Sequence, residues 1–256
     1  MTNSSLTELA NLKGSNKGTN PSHGHSLFNY TDIYEAYLGR LRNETLTILQ
    51  IGVGSSSSKR GSGSSSFLME GTSLKLWCDY FPKAYVYGVD KEQYSYLENE
   101  RVASFGVEAA SPAAWLAFER ATPNVEFDLI FDDGTHRPED QQVALGCLFP
   151  RLRSGGFYFI EDLMSNGYED GVSGRYTSQT NRNTRSVMRY FQHTGSFLRP
   201  NALPNTDYLQ AHIALVSLHA PKISVESKLR AKLSDPIKTT VQYRADSERL
   251  CAIMKR

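Results

Sequence analysis

The stretch FDLIFDDGTH, residues 127–136, decides how the chain is read. A short, largely apolar run runs straight into Asp132-Asp133-Gly134-Thr135-His136. Such a run reads as a strand buried on both faces, and the polar cluster marks its carboxyl end. The arrangement recurs on either side. Residues 46–53 (LTILQIGV) lead into Gly52-Val53-Gly54, residues 84–89 (AYVYGV) close on Asp90, residues 101–107 are a third candidate strand, and residues 156–160 (GFYFI) end on Glu161-Asp162. Between them, residues 72–80, 112–119 and 139–152 read as helices; Pro82 marks the end of the first, and Val143, Leu145, Leu148 and Leu152 give the last its apolar positions. Short apolar strands alternating with helices imply a doubly wound α/β architecture, a parallel sheet covered on both faces. Ligands bind such sheets at the carboxyl ends of the strands. A carboxylate after a single strand can simply cap the next helix. Polar clusters after four candidate strands favour a shared site.

Outward from this core the pattern weakens. Residues 1–26, rich in Asn, Ser, Gly and Lys, read as a mobile arm with at most a short helix near 6–12. Tyr30, Ile33, Tyr34, Tyr37 and Leu41 fall at helical spacing, a stripe for core packing. Residues 55–66 (SSSSKRGSGSSS) are a low-complexity loop. Residues 164–183 read as a loop, a lid over the site. Residues 184–193 read as a short helix whose apolar face, Val187, Met188 and Phe191, suits core packing or a subunit interface over a cofactor contact. Residues 209–218 and 223–225 read as two closing strands around Pro221. The division expected is an N-terminal arm and helix over 1–44, a core over 45–225, and a basic extension over 226–256 with no assigned role.

Composition excludes several classes. The 256 residues carry 28 Lys+Arg against 27 Asp+Glu, a net charge of +1 that offers no general field for a nucleic acid. Cys78, Cys147 and Cys251 are odd in number and widely spaced, neither a disulfide framework nor a zinc pattern. No apolar run approaches the ~20 residues of a membrane span, and the polar N-terminus lacks the apolar stretch of a signal peptide. The expectation is a soluble cytoplasmic protein with neither a membrane nor a nucleic-acid partner.

Three constellations carry chemistry. Gly52 and Gly54 allow a cofactor close to the backbone, although Ser57 stands where a dinucleotide fingerprint needs its third glycine and a tight strand-to-loop turn is an equal reading. Asp90 can accept hydrogen bonds from the ribose hydroxyls of an adenosine; it lies 36 residues beyond Gly54, against roughly 20 in a compact unit, and the Ser-rich loop accounts for the excess. Asp133, Glu161 and Asp162 make a hard oxygen site suited to Mg²⁺. With no Lys or Arg beside them they would repel one another, and a divalent cation would relieve this. A single His and no Cys nearby disfavour zinc. His136, three residues after Asp133, could act as a general base. His23, His25, His193, His212 and His219 have no such context.

Together, LQIGVG, GTSLKLWCDYFPKAYVYGVD, FDLIFDDGTH and LFPRLRSGGFYFIEDL resemble the class I S-adenosylmethionine-dependent methyltransferases, and within them the metal-dependent sugar O-methyltransferases of macrolide and tetracenomycin biosynthesis. The resemblance runs over about residues 13–225, most closely 48–163. The N-terminal GSNKGTN and HGHSLFNYTDIYEAY look like a family segment near the cofactor. The resemblance implies a Rossmann-like, mostly parallel seven-stranded sheet with an antiparallel last strand. It implies S-adenosylmethionine and Mg²⁺ as cofactors, metal carboxylates at Asp133, Glu161 and Asp162, a base at His136, and cofactor contacts at Gly52, Gly54, Ser73, Asp90, Asp132 and, by a looser alignment, Glu108. Asp133 and His136 are then the catalytic pair, the partner is a small hydroxylated acceptor, and self-association is left open. The chain departs from the family at Gln50, usually Glu; at Ser56, usually Gly; at Thr135, usually Ser; and at Ala109, usually polar. Competing readings are a non-methylating enzyme on the same scaffold, a cofactor-binding protein without catalysis and, more weakly, a dehydrogenase.

Overall fold

The computed structural model describes residues 4–19, 29–54, 70–163, 183–220 and 248–256. Seven strands build one sheet: β1 (Thr47–Ile51), β2 (Tyr85–Asp90), β3 (Val102–Gly106), β4 (Phe127–Asp132), β5 (Leu152–Ile160), β6 (Ile213–His219) and β7 (Leu250–Lys255). Their order is β3-β2-β1-β4-β5-β7-β6. The first five are parallel, and β7 runs antiparallel to both β5 and β6. The fold is the Rossmann-like one that the resemblance implied. Its strand order reverses beside β1, opening a crevice at the carboxyl ends of β1 and β4.

Alternation along the strands divides the core into two layers. Leu49, Ile51, Val89, Ile130, Tyr158 and Ile160 face α4 (Pro112–Ala121), α5 (Pro138–Leu148) and α6 (Thr184–Thr194). Ile48, Val86, Leu129, Phe131 and Phe159 face α1 (Leu6–Lys13), α2 (Tyr30–Leu38) and α3 (Thr72–Tyr80). On this second side Trp77 stacks on Phe131 with centroids 4.1 Å apart, and Tyr34 presents its edge to Trp77, Phe131 and Phe159. Val187, Met188 and Phe191 of α6 are buried in the chain's own core, so their apolar face is core packing.

Three expectations are corrected. The short helix expected near 6–12 is present as α1, but it is packed and not part of a mobile arm: Ser5 and Glu8 form a reciprocal capping box and Leu6 and Ala10 are buried. The strand expected over 209–218 begins later. Residues Thr206–His212 form a helix, α7, that buries Leu209, and β6 follows it. The stretch taken as an extension carries β7, whose Leu250, Cys251, Ala252 and Ile253 are buried, so the sheet continues beyond the expected boundary at 225. Placed between β5 and β6, the strand has both edges paired, and its buried run Leu250–Ile253 is apolar enough for covered faces. The expected loops at 55–66 and 164–183 and the strand at 223–225 fall outside the described residues, Asn183 excepted. Among the described residues no helix is long and apolar enough to cross a membrane.

Asp132 closes β4 in a buried position, accepting a hydrogen bond from Tyr158 at 3.3 Å. Burial pushes its carboxyl up to about 6. The folded protein holds this proton up to about pH 6, whereas the unfolded chain releases it near the ordinary value of 3.8. Stability from this group is therefore greatest below about pH 4 and falls as pH rises to about 6. In urea denaturation without divalent ions, Asp132→Asn should lose this fall; an unchanged difference from wild type between acid and neutral pH would contradict it. Ile253→Ala should cost about 2–5 kcal/mol in the same assay, as for a fully buried core residue. A cost near zero would place β7 outside the cooperative core.

Candidate active site

The crevice is built by hydrogen bonds that carry the sheet past its strand ends. The Gly52 amide donates to the Val89 carbonyl, Asp133 to Ile51, and Glu161 to Asp132. The residues that follow four strands are thereby set side by side. Gly52 adopts a left-handed φ of 85°, and a Cβ there would lie 2.1 Å from the Asp133 carbonyl oxygen. The close approach of the two loops requires glycine.

At one side of the crevice Asp133, His136 and Asp162 each place a ligand atom within 4.8 Å of the others. His136 Nε2 lies 3.8 Å from Asp133 Oδ1 and 3.7 Å from Asp162 Oδ2. Its Nδ1 is buried with no hydrogen-bond partner among the described residues. His136 and Asp162 both adopt left-handed backbone, with φ of 59° and 52°. Such conformations cost about 1–3 kcal/mol each and persist where surrounding contacts over-determine them. Burial alone would lower the His136 pKa; the carboxylates of Asp162, Asp133, Asp132 and Glu161 outweigh it and raise the ring above its ordinary value.

Glu161 lies outside that group of three and is 2% exposed. Its Oε1 accepts from Lys17 Nζ at 2.6 Å and from the Tyr34 hydroxyl at 2.7 Å. Lys17 also reaches Asp133 Oδ2 at 2.6 Å. The Tyr30 hydroxyl donates to Asp162 Oδ1 at 2.5 Å. The acids therefore do have a cation beside them, contrary to the expectation from neighbouring sequence. It comes from 116 and 144 residues away, a distance at which sequence proximity carries no information. Burial works against the Lys17 ammonium, but Asp133 and Glu161 raise its pKa well above the ordinary value. Burial and Asp133 push the Glu161 carboxyl up, while Lys17 and Tyr34 draw it back.

Beside this cluster opens a cavity of about 520 Å³, lined by Gly52, Gly54, Asp90, Glu108, Asp133 and His136, among others. Asp90 Oδ2 accepts from the Val53 and Gly54 amides at 2.8 and 3.0 Å, and Oδ1 from the Lys91 amide at 2.7 Å. A carboxylate has about four acceptor positions, so Asp90 can shape the glycine turn and still meet a ligand. Glu108 lies 3.8 Å from Lys91 in an exposed ion pair. Ala109 lines the cavity; Ser73, on α3, and Asp132 do not. Gln50 is also absent from the lining. Its Oε1 accepts from Trp77 Nε1 at 2.7 Å, and its Nε2 donates to the carbonyls of Ile51 and Gly52. A glutamate could not donate to those carbonyls, so glutamine fits this turn. Lys17, Tyr30 and Tyr34, and Tyr94, which also lines the cavity, carry no site assignment from the sequence. Tyr30 and Tyr34 are spaced as a helical stripe, which reads equally well as core. Lys17 stands in the GSNKGTN segment of the resemblance, and Tyr94 carries no sequence signal.

No family model matches the chain. It is 32% identical over 155 residues to 8-demethyl-8-(2-methoxy-alpha-L-rhamnosyl)-tetracenomycin-C 3'-O-methyltransferase of Streptomyces olivaceus, covering 60% of this chain and 37% of that one. It is 32% identical over 209 residues to L-olivosyl-oleandolide 3-O-methyltransferase of Streptomyces antibioticus, covering 79% and 50%. The chain thus spans half or less of the length of these curated relatives. Among solved structures it matches MycE methyltransferase from the mycinamycin biosynthetic pathway, in complex with Mg, SAH and mycinamycin VI, with a TM-score of 0.66 and 20% identity over 99% of this chain and 54% of that one. In sequence the chain is similar to sugar O-methyltransferases of macrolide and tetracenomycin pathways, and its fold is that of the MycE methyltransferase, as the motifs of residues 48–163 imply.

Proposed function

We propose that the protein is an S-adenosylmethionine- and Mg²⁺-dependent O-methyltransferase acting on a hydroxyl of a small molecule, a sugar or glycosylated natural product. The observation that carries this reading is the convergence of Asp133, His136 and Asp162 at the wall of a cavity that also holds Asp90. The names of the relatives and the ligands of MycE support the same reading.

The donor set suits a hard divalent ion. Asp133 Oδ1 and Asp162 Oδ2 face the same point near His136, and Glu161 Oε2 makes no hydrogen bond among the described residues. These three acids would hold the ion. The cavity is of a size that suits a small ligand. Asp90 would accept from ribose hydroxyls, and Gly52 and Gly54 would let the cofactor approach the backbone. Glu108 stands at the same cavity, whereas Ser73 and Asp132 would act from outside its lining.

When bound, the ion would lower the pKa of the acceptor hydroxyl, and the methyl group would pass from the sulfonium to that oxygen, leaving the neutral thioether. His136 is placed to take the hydroxyl proton at Nε2, the nitrogen that faces Asp133 and Asp162. Those carboxylates raise its pKa, with Lys17, Tyr30 and Tyr34 already meeting part of their charge. With an ion held between them they would stabilise imidazolium less, which would favour the neutral ring that can accept a proton. Asp133 would thus hold the ion beside the base, its Oδ1 3.8 Å from His136 Nε2.

Incubation with labelled S-adenosylmethionine, Mg²⁺ and glycosylated macrolide or tetracenomycin acceptors should yield a product heavier by one methyl group. His136→Gln should lower the rate by about 10²–10⁴-fold, the usual worth of a positioned base. Asp133→Asn should abolish turnover together with Mg²⁺ binding, with the melting transition retained. Undiminished activity in excess EDTA would overturn the metal-assisted reading. A product without the added methyl would favour the non-methylating alternative.

A further inference from the structure

Each of the three acids spends one oxygen on the N-terminal segment and turns the other elsewhere. Asp133 gives Oδ2 to Lys17, Glu161 gives Oε1 to Lys17 and Tyr34, and Asp162 gives Oδ1 to Tyr30. Asp133 Oδ1 and Asp162 Oδ2 lie on the His136 side. Lys17 is the cation in this set and is 1% exposed. Its backbone is tied as well, by longer bonds. Its amide donates to Ser15 Oγ at 3.3 Å, and its carbonyl accepts from the Thr31 amide at 3.4 Å, so the turn after α1 is pinned to the start of α2.

We infer that Lys17 is a positioning residue for the acidic cluster: its ammonium bridges Asp133 and Glu161, leaves Asp133 Oδ1 on the His136 side, and ties occupation of the ion site to seating of the N-terminal helices. The inference rests on the reading of the cluster as a metal site. Formal charge is consistent with it. Among these four groups alone, three carboxylates and one ammonium leave two formal negative charges, a demand for positive charge that a divalent ion would meet. An ammonium bridging two carboxylates at 2.6 Å makes charge-assisted bonds whose loss leaves buried charge uncompensated. A purely structural ion pair would stabilise the fold equally with and without Mg²⁺. A positioning residue couples to it.

The test titrates MgCl₂ alone into wild type, Lys17→Met and Lys17→Arg by calorimetry. It also follows tryptic cleavage after Lys13, a site common to all three, with and without MgCl₂. Wild type should bind Mg²⁺, and Mg²⁺ should slow cleavage at Lys13 several-fold. Lys17→Met should bind Mg²⁺ at least tenfold more weakly and lose the protection, and Lys17→Arg should recover part of both. Equal Mg²⁺ affinity in wild type and folded Lys17→Met would overturn the inference while leaving the metal site standing. No binding to wild type would overturn both. The wild-type half needs no variant to fold: if Mg²⁺ binds but leaves cleavage at Lys13 unchanged, the coupling is refuted.

Discussion

One registration sets the rest in place: Ile51 on the central strand lies level with Val89 on one neighbour and Asp132 on the other, and Asp132 lies level with Ile160. Because four parallel strands end on one line, the residues after them emerge together. Gly52, Asp90, Asp133 and Glu161 are far apart in the chain and adjacent in space for this reason. Shifting one strand by a residue would exchange its inward and outward side chains and scatter the cluster. The apolar packing of the two layers, with Trp77 against Phe131 on one side and Tyr158 and Ile160 on the other, holds the register.

That geometry creates an electrostatic problem. Buried carboxylates crowded at strand ends are costly unless charge and hydrogen bonds compensate them. The N-terminal helices supply the compensation from outside the sheet: an ammonium from the turn after α1 and two phenols from α2. Lys17, Tyr30 and Tyr34 therefore belong to the site as much as to the core.

The alternation of apolar runs and helical segments made the sheet legible over residues 46–160, since a short continuous apolar run ending in Gly or Asp suits a buried parallel strand better than a helix or an exposed edge. The acids and His136 were legible because they follow those strands directly. Lys17 was not, because its partners are more than a hundred residues away and its own neighbourhood is polar. β7 was missed for a related reason. LCAIM is a short apolar run after a basic stretch, and it becomes a strand through the neighbours it inserts between. Gln50 looked like a lost charge from sequence; in the fold its amide ties Trp77 to the glycine turn.

The position of β7 also bears on how the chain is made. β6 leaves the ribosome before the strand that joins it to the sheet, with residues 220–249 still to come. At ~5–20 residues per second that interval lasts roughly 2–6 s. During it β5 presents an open edge and β6 has no partner, the condition in which strands pair with the wrong chain. The sheet cannot close while the chain is growing through this segment, so completion of the fold waits on one late apolar pentapeptide.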